Sequence, residues 1–198
     1  DLHSFPTRRS SDLGTNSDVT WHEIDPCYVF HPVNAYEDGG NLVLHVSRLD
    51  SAFAESGDDY SASGCLWRWT IDTVAGTVHE EQLDDRRGDF GRIDDRLVGH
   101  PARYGYLMAL PDTGGDYVEY GETLYKYDLT TGQRWDHELG TGVKGGEPVF
   151  APAGPDAEED EGWVLCIVHD ENSDKSKFLI IDARDFEGPP GADRKSVV

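Results

Sequence analysis

The chain has 198 residues, 37% of them hydrophobic, with 39 acidic side chains against 17 basic ones and a formal charge of −22. Such an acidic surface repels a phosphate backbone and makes nucleic acid a poor partner, and no polybasic stretch or long apolar span offers a membrane anchor. The acidity is read as a solubility device. The 22 Gly and 10 Pro punctuate short runs rich in Val, Tyr, Trp and Thr, which predicts an all-β fold of many short strands.

In chain order, DLHSFPTRRSSDL (1–13) is Ser/Arg-rich and apolar-poor, unlike the rest of the chain. It resembles translated sequencing-adapter sequence, as does DRKSVV (193–198). Residues 1–20 are therefore set aside as leader and lead-in, 21–192 are expected to fold, and 193–198 are set aside as a tail. On this reading the folding part is a piece of a gene, truncated on both sides. YVFHPVNAYEDGG (28–40) comes next, an apolar strand running into an Asp-Gly hairpin turn, with His31 and Pro32 inside it.

The middle of the chain carries a repeat. LWRWTIDTVAG (66–76), LYKYDLTTG (124–132) and FLIIDARDFEG (178–188) share alternating apolar residues, an Asp at 72, 128 and 182, and a closing Gly at 76, 132 and 188. NLVLHV (41–46), ARYGYLMAL (102–110) and GWVLCIV (162–168) each lie one strand earlier. TVHEEQL (77–83) and QRWDHEL (133–139) lie one strand later. Antiparallel four-stranded units at a period of about 50 to 60 residues predict blades of a partial β-propeller. The chain would hold about three blades, the last lacking its outer strand.

The first strand of each unit carries the candidate chemistry. FHPVNA (30–35) and GEPVFA (146–151) match at Pro-Val, and GDFGRID (88–94) lies midway, so His31, Asp89 and Glu147 recur at intervals of 58 residues. Innermost strands line a propeller axis, so these three side chains are expected to converge there. Pro32 and Pro148 are tolerated because an innermost strand has a neighbour on one side only. A satisfied core histidine and a loop carboxylate remain the plain alternatives.

WHEIDPCYVFHPVNAYED (21–38), DFGRIDDRLVGHPARYGY (89–106), GGEPVFAP (145–152) with EDEGWVL (159–165), and FLIIDARDFEGPP (178–190) together resemble the carotenoid cleavage oxygenases, in that family's order. The resemblance implies a seven-bladed propeller with Fe(II) on its axis, held by four histidines from different blades. It implies O2-dependent cleavage of a carbon–carbon double bond in a carotenoid, apocarotenoid or stilbene-like substrate. His31 corresponds to one metal ligand, Asp89 to the carboxylate supporting it, and Glu147 to the carboxylate supporting a fourth histidine. The family usually has Glu-Phe-Pro where this chain has Asp89-Phe90-Gly91, which leaves open whether the shorter Asp89 reaches the imidazole directly or through water.

The other histidines, His22, His45, His79, His100, His137 and His169, lie outside the matching contexts and are read as surface or strand residues. With one ligand, the chain alone is expected to be inactive and to bind iron weakly or not at all. Phe30, Tyr36, Phe90, Tyr104 and Phe150 are candidates for an apolar tunnel or for blade packing. Arg92 and Arg103 are read as strand-surface or inter-blade partners. Cys27, Cys65 and Cys166, odd in number and without metal-type spacing, predict reduced, buried thiols and a cytoplasmic protein. Membrane contact of a full-length protein stays open. The competing readings are a non-enzymatic β-propeller interaction module and, more weakly, a polyol- or sugar-acting hydrolase needing paired axial carboxylates.

Overall fold

The computed structural model describes residues 20–50, 64–111 and 119–195. The first strand, β1 (Tyr28–Asp38), reverses at Gly39 and Gly40, with φ of 56° and 92°, into β2 (Asn41–Leu49). Both φ values lie in the left-handed region, so this turn requires glycine. Next come β3 (Cys65–Asp72), β4 (Thr77–Arg92), β5 (Tyr104–Ala109), β6 (Thr123–Asp128) and β7 (Arg134–Glu138). The remaining strands are β8 (Val143–Lys144), β9 (Val149–Pro152), β10 (Gly162–Asp170), β11 (Lys175–Asp182) and β12 (Ala192–Lys195). Among the described residues the only helical element is a single 3-10 turn at Asp95–Leu97. The fold is all-β, as expected.

Strands β1 to β7 form one antiparallel sheet in chain order. Its middle strand is double: the first part of β4 pairs with β3 and its last residues, Gly88 to Arg92, pair with β5. The expected outer strand 77–83 and the expected inner strand 88–94 are thus one continuous element shared by two four-stranded portions. In the second sheet β8 and β9 pair with opposite ends of β10, which pairs with β11, which pairs with β12. One expectation is corrected here. The last unit does have an outer strand, and residues 193–195, set aside as a tail, belong to it. The unpaired N–H and C=O groups along a strand edge accept extended backbone of almost any composition, so composition alone does not exclude those residues. The reading of residues 1–13 lies outside the described residues.

The repeated Asp and Gly close the turns. Asp72 accepts the backbone N–H of Val74 and Ala75, and Asp128 accepts those of Thr130 and Thr131. Gly76 and Gly132, at φ 73° and 75°, each donate back to the carbonyl of that Asp at 2.8 Å. Asp182 accepts from Arg184, while Gly188 bonds Asp185 instead, so the third turn is wider. Between the units lies one core, built from Tyr106, Met108, Leu124 and Tyr127 of the second unit and Phe150, Val164 and Ile181 of the third. Tyr106 stacks on Phe150 at 5.6 Å, a pair that adds about 1 kcal/mol beyond its buried area.

Candidate metal centre

Pro32 withholds an N–H from β1, and the pairing of β1 with β2 shifts register on both sides of it, between Val29 and Pro32 and between Pro32 and Asn34. Because β1 is an edge strand, this irregularity is tolerated, and it lets His31 leave the plane of the sheet. The partner arises from a second irregularity. β4 bulges between Asp89 and Arg92, and Phe90 inside that bulge has φ 57°. A non-glycine residue held there costs on the order of 1 kcal/mol or more.

The two irregular strands bring His31 and Asp89 together. The imidazole Nδ1–H donates to Asp89 Oδ2 at 3.0 Å, directly, which answers the question left open by the shorter side chain. The carboxylate is buried and the ring is 47% exposed. A carboxylate oxygen accepts this bond, so in the neutral ring Nδ1 carries the proton and Nε2 the lone pair. Asp89 Oδ1 is buried without a hydrogen-bond partner among the described residues, a desolvation cost of about 1–3 kcal/mol. The buried carboxylate thus fixes the orientation of a half-exposed ring.

Aromatic rings flank the pair. Phe90 lies 5.1 Å and Phe30 6.4 Å from the His31 ring, and Tyr120 stacks on Phe90 at 5.9 Å with the planes 4° apart. Tyr120 also lines a cavity of about 350 Å³ with Lys144, Gly145, Ile167 and Val168. No periodic run contains Tyr120, so the sequence offered no signal for it. The other proposed tunnel aromatics pack elsewhere: Tyr36 against His45, Tyr104 against Trp135, Phe150 against Tyr106.

Glu147 is bonded to neither His31 nor Asp89. It precedes β9 and accepts from Arg92 Nη1 at 3.2 Å. Arg92 is thus an inter-unit partner, three residues beyond Asp89 on the same strand, and it links the inner edges of the second and third units as His31–Asp89 links the first and second. Arg103 binds Asp128 within its own unit at 2.7 Å. Burial would raise the Asp128 carboxyl, but the Arg103 hydrogen bond and the turn N–H groups outweigh it and hold the carboxyl below its usual range.

The remaining histidines stay apart from this pair. His137 donates from Nδ1 to its own core partner, the carbonyl of Phe186, at 2.7 Å, and His169 faces Asp174 at 3.6 Å. Among the described residues no group of three or more His, Cys, Asp or Glu is placed to hold a metal ion. Of the three thiols only Cys166 is buried, and burial pushes it up to about 11 despite its bond to Gly146 O. Cys27 and Cys65 are partly exposed, unlike the expectation, because they lie at a strand approach and a strand end rather than inside a sheet.

A family model described as RPE65, retinal pigment epithelial membrane protein, matches residues 5–194. The chain belongs to the carotenoid cleavage oxygenase family. It is 36% identical over 184 residues to a carotenoid cleavage oxygenase of Mycobacterium tuberculosis, covering 88% of this chain and 36% of that protein. With the apocarotenoid-15,15'-oxygenase of Synechocystis it shares 31% over 170 residues, 82% of this chain and 34% of the relative. The chain therefore spans about a third of the length of these relatives. Cobalt-substituted Synechocystis ACO superposes with a TM-score of 0.79 at 28% identity, over 91% of this chain and 39% of that one. An ACO/RPE65 chimera gives 0.78 over the same shares. The all-β, propeller-like arrangement agrees with these structures.

Proposed function

We propose that this chain is part of a non-haem Fe(II) dioxygenase that uses O2 to cleave a carbon–carbon double bond of a carotenoid, apocarotenoid or stilbene-like substrate. In this reading the chain supplies about three blades of a seven-bladed propeller and one of four imidazole ligands. The observation that carries it is the direct 3.0 Å bond between His31 Nδ1 and the buried Asp89, made across two irregular strands. The donor set fits ferrous iron: a neutral imidazole presenting Nε2, its tautomer held by a carboxylate on the far nitrogen. When bound, the iron supplies the point at which O2 is activated. Asp89 keeps the ring from turning away, and Phe30, Phe90 and Tyr120 give the polyene an apolar flank beside it. Glu147, held by Arg92, is assigned to orient a further imidazole from outside this chain.

A catalytic metal needs at least three protein ligands, so on this reading the chain alone binds iron weakly or not at all. The test completes the site. Residues 21–192 replace the matching third of the Mycobacterium tuberculosis carotenoid cleavage oxygenase, and O2-dependent cleavage of an apocarotenoid is followed. The chimera cleaves and His31→Ala does not. Cleavage undiminished by His31→Ala contradicts the proposal.

A further inference from the structure

We infer that Gly91 is a positioning residue: its missing side chain lets β1 and β4 approach closely enough for a carboxylate as short as Asp89 to reach His31. These two strands are not hydrogen-bonded neighbours, since β2 and β3 lie between them in the sheet. No backbone ladder fixes their separation at the site, so side-chain packing does. The tightest point is Gly91 against Val33. A Cβ on residue 91 would lie 2.5 Å from Val33 Cγ2 and 3.2 Å from both Val33 Cβ and Cγ1. Val33 is buried, and a β-branched side chain has little rotamer freedom, so it cannot swing clear. Rotation also leaves the 3.2 Å contact with Cβ, which is tight by only a few tenths of an ångström, so the γ-methyls carry the main clash. The strands themselves would have to part.

The consequence falls on the site, because His31 lies two residues before Val33 and Asp89 two residues before Gly91. Restoring an ordinary carbon–carbon contact of about 3.5 Å moves the strands roughly 1 Å apart. Added to the present 3.0 Å, that exceeds hydrogen-bond range. A side chain longer by one C–C bond, about 1.5 Å, would span the wider gap. Gly91 and Asp89 are therefore matched to one another. What this means for a metal rests on the iron-site reading above, whereas the geometry belongs to the chain itself.

The experiment reads the His31 ring by long-range ¹H–¹⁵N NMR in the ¹⁵N-labelled chain at about pH 8.5, well above the ordinary histidine range. Wild type shows the Nδ1–H tautomer. Gly91→Ala loses that signature, and the double variant Asp89→Glu/Gly91→Ala recovers it. Val33→Ala/Gly91→Ala, which removes the two γ-methyl contacts, also recovers it and decides the matter if Gly91→Ala alone does not fold. A wild-type signature that persists in Gly91→Ala overturns this inference alone, as does loss that neither double variant reverses. A wild-type ring lacking Nδ1–H overturns both this inference and the pairing behind the proposed function.

Discussion

Three histidines on similar strand runs have three different environments, and the differences are electrostatic. His31 is half exposed and bonded to a carboxylate, and His137 is buried on a backbone carbonyl. His45 is buried against Tyr36, with neither ring nitrogen in a hydrogen bond of good geometry among the described residues, although the Leu129 backbone lies near enough to favour the charged ring slightly. Burial, aided by the Arg68 charge, lowers its pKa to about 4. The unfolded chain then binds a proton on this residue that the folded one rejects, so stability falls as pH drops below about 6.5 towards 4 and is full above that window. At pH 5 the loss from His45 is about 2 kcal/mol relative to pH 8. His45→Met should shrink the difference in urea stability between those two pH values by about that amount, and an unchanged difference would contradict the assignment. The spacing with Asp89 and Glu147 made His31 legible in the sequence. Nothing local distinguished His45 from His137, because only neighbours from other strands decide whether a ring is satisfied.

Turn chemistry is local, and the element-scale repeat was legible for that reason. Asp72 and Asp128 each gather two backbone N–H groups, and the closing Gly takes the positive φ that the turn demands. Their energetic weight should differ. Asp72→Ala forfeits only the turn bonds, a loss of about 1 kcal/mol. Asp128 is also fully buried and binds Arg103, so Asp128→Ala should cost about 3 kcal/mol and lower the urea midpoint further. Equal losses in the two variants would show that the Arg103 bond contributes nothing. What was not legible at this scale was pairing across long separations. That β4 serves two units, and that residues 192–195 extend the last sheet, depends on which free edge lies nearby rather than on propensity.

Register makes the units comparable across the whole molecule. Asn41, Tyr104 and Trp163 each pair with the turn Asp of their own unit, so His45, Met108 and Ile167 occupy equivalent positions. The first two are 1% and 0% exposed, because the next unit covers them, while Ile167 is 65% exposed. With Trp163 and Val149 beside it, the third unit presents an open apolar face. The isolated chain should self-associate through this face, and Ile167→Lys should reduce association in sedimentation without altering the β-sheet spectrum. A monodisperse wild-type chain would contradict that.

The candidate site could be read only in part. One imidazole and its carboxylate were legible at a spacing of 58 residues. Gly91 and Tyr120 were not, since a close approach and a stacked ring exist only after the strands have packed. The central claim is that His31 is a metal ligand, and metal content tests it most directly. In the chimera carrying residues 21–192, iron is counted per chain after dialysis, with His31 intact and with His31→Ala. The account predicts stoichiometric iron in the first and its loss in the second; equal, stoichiometric iron in both would contradict it.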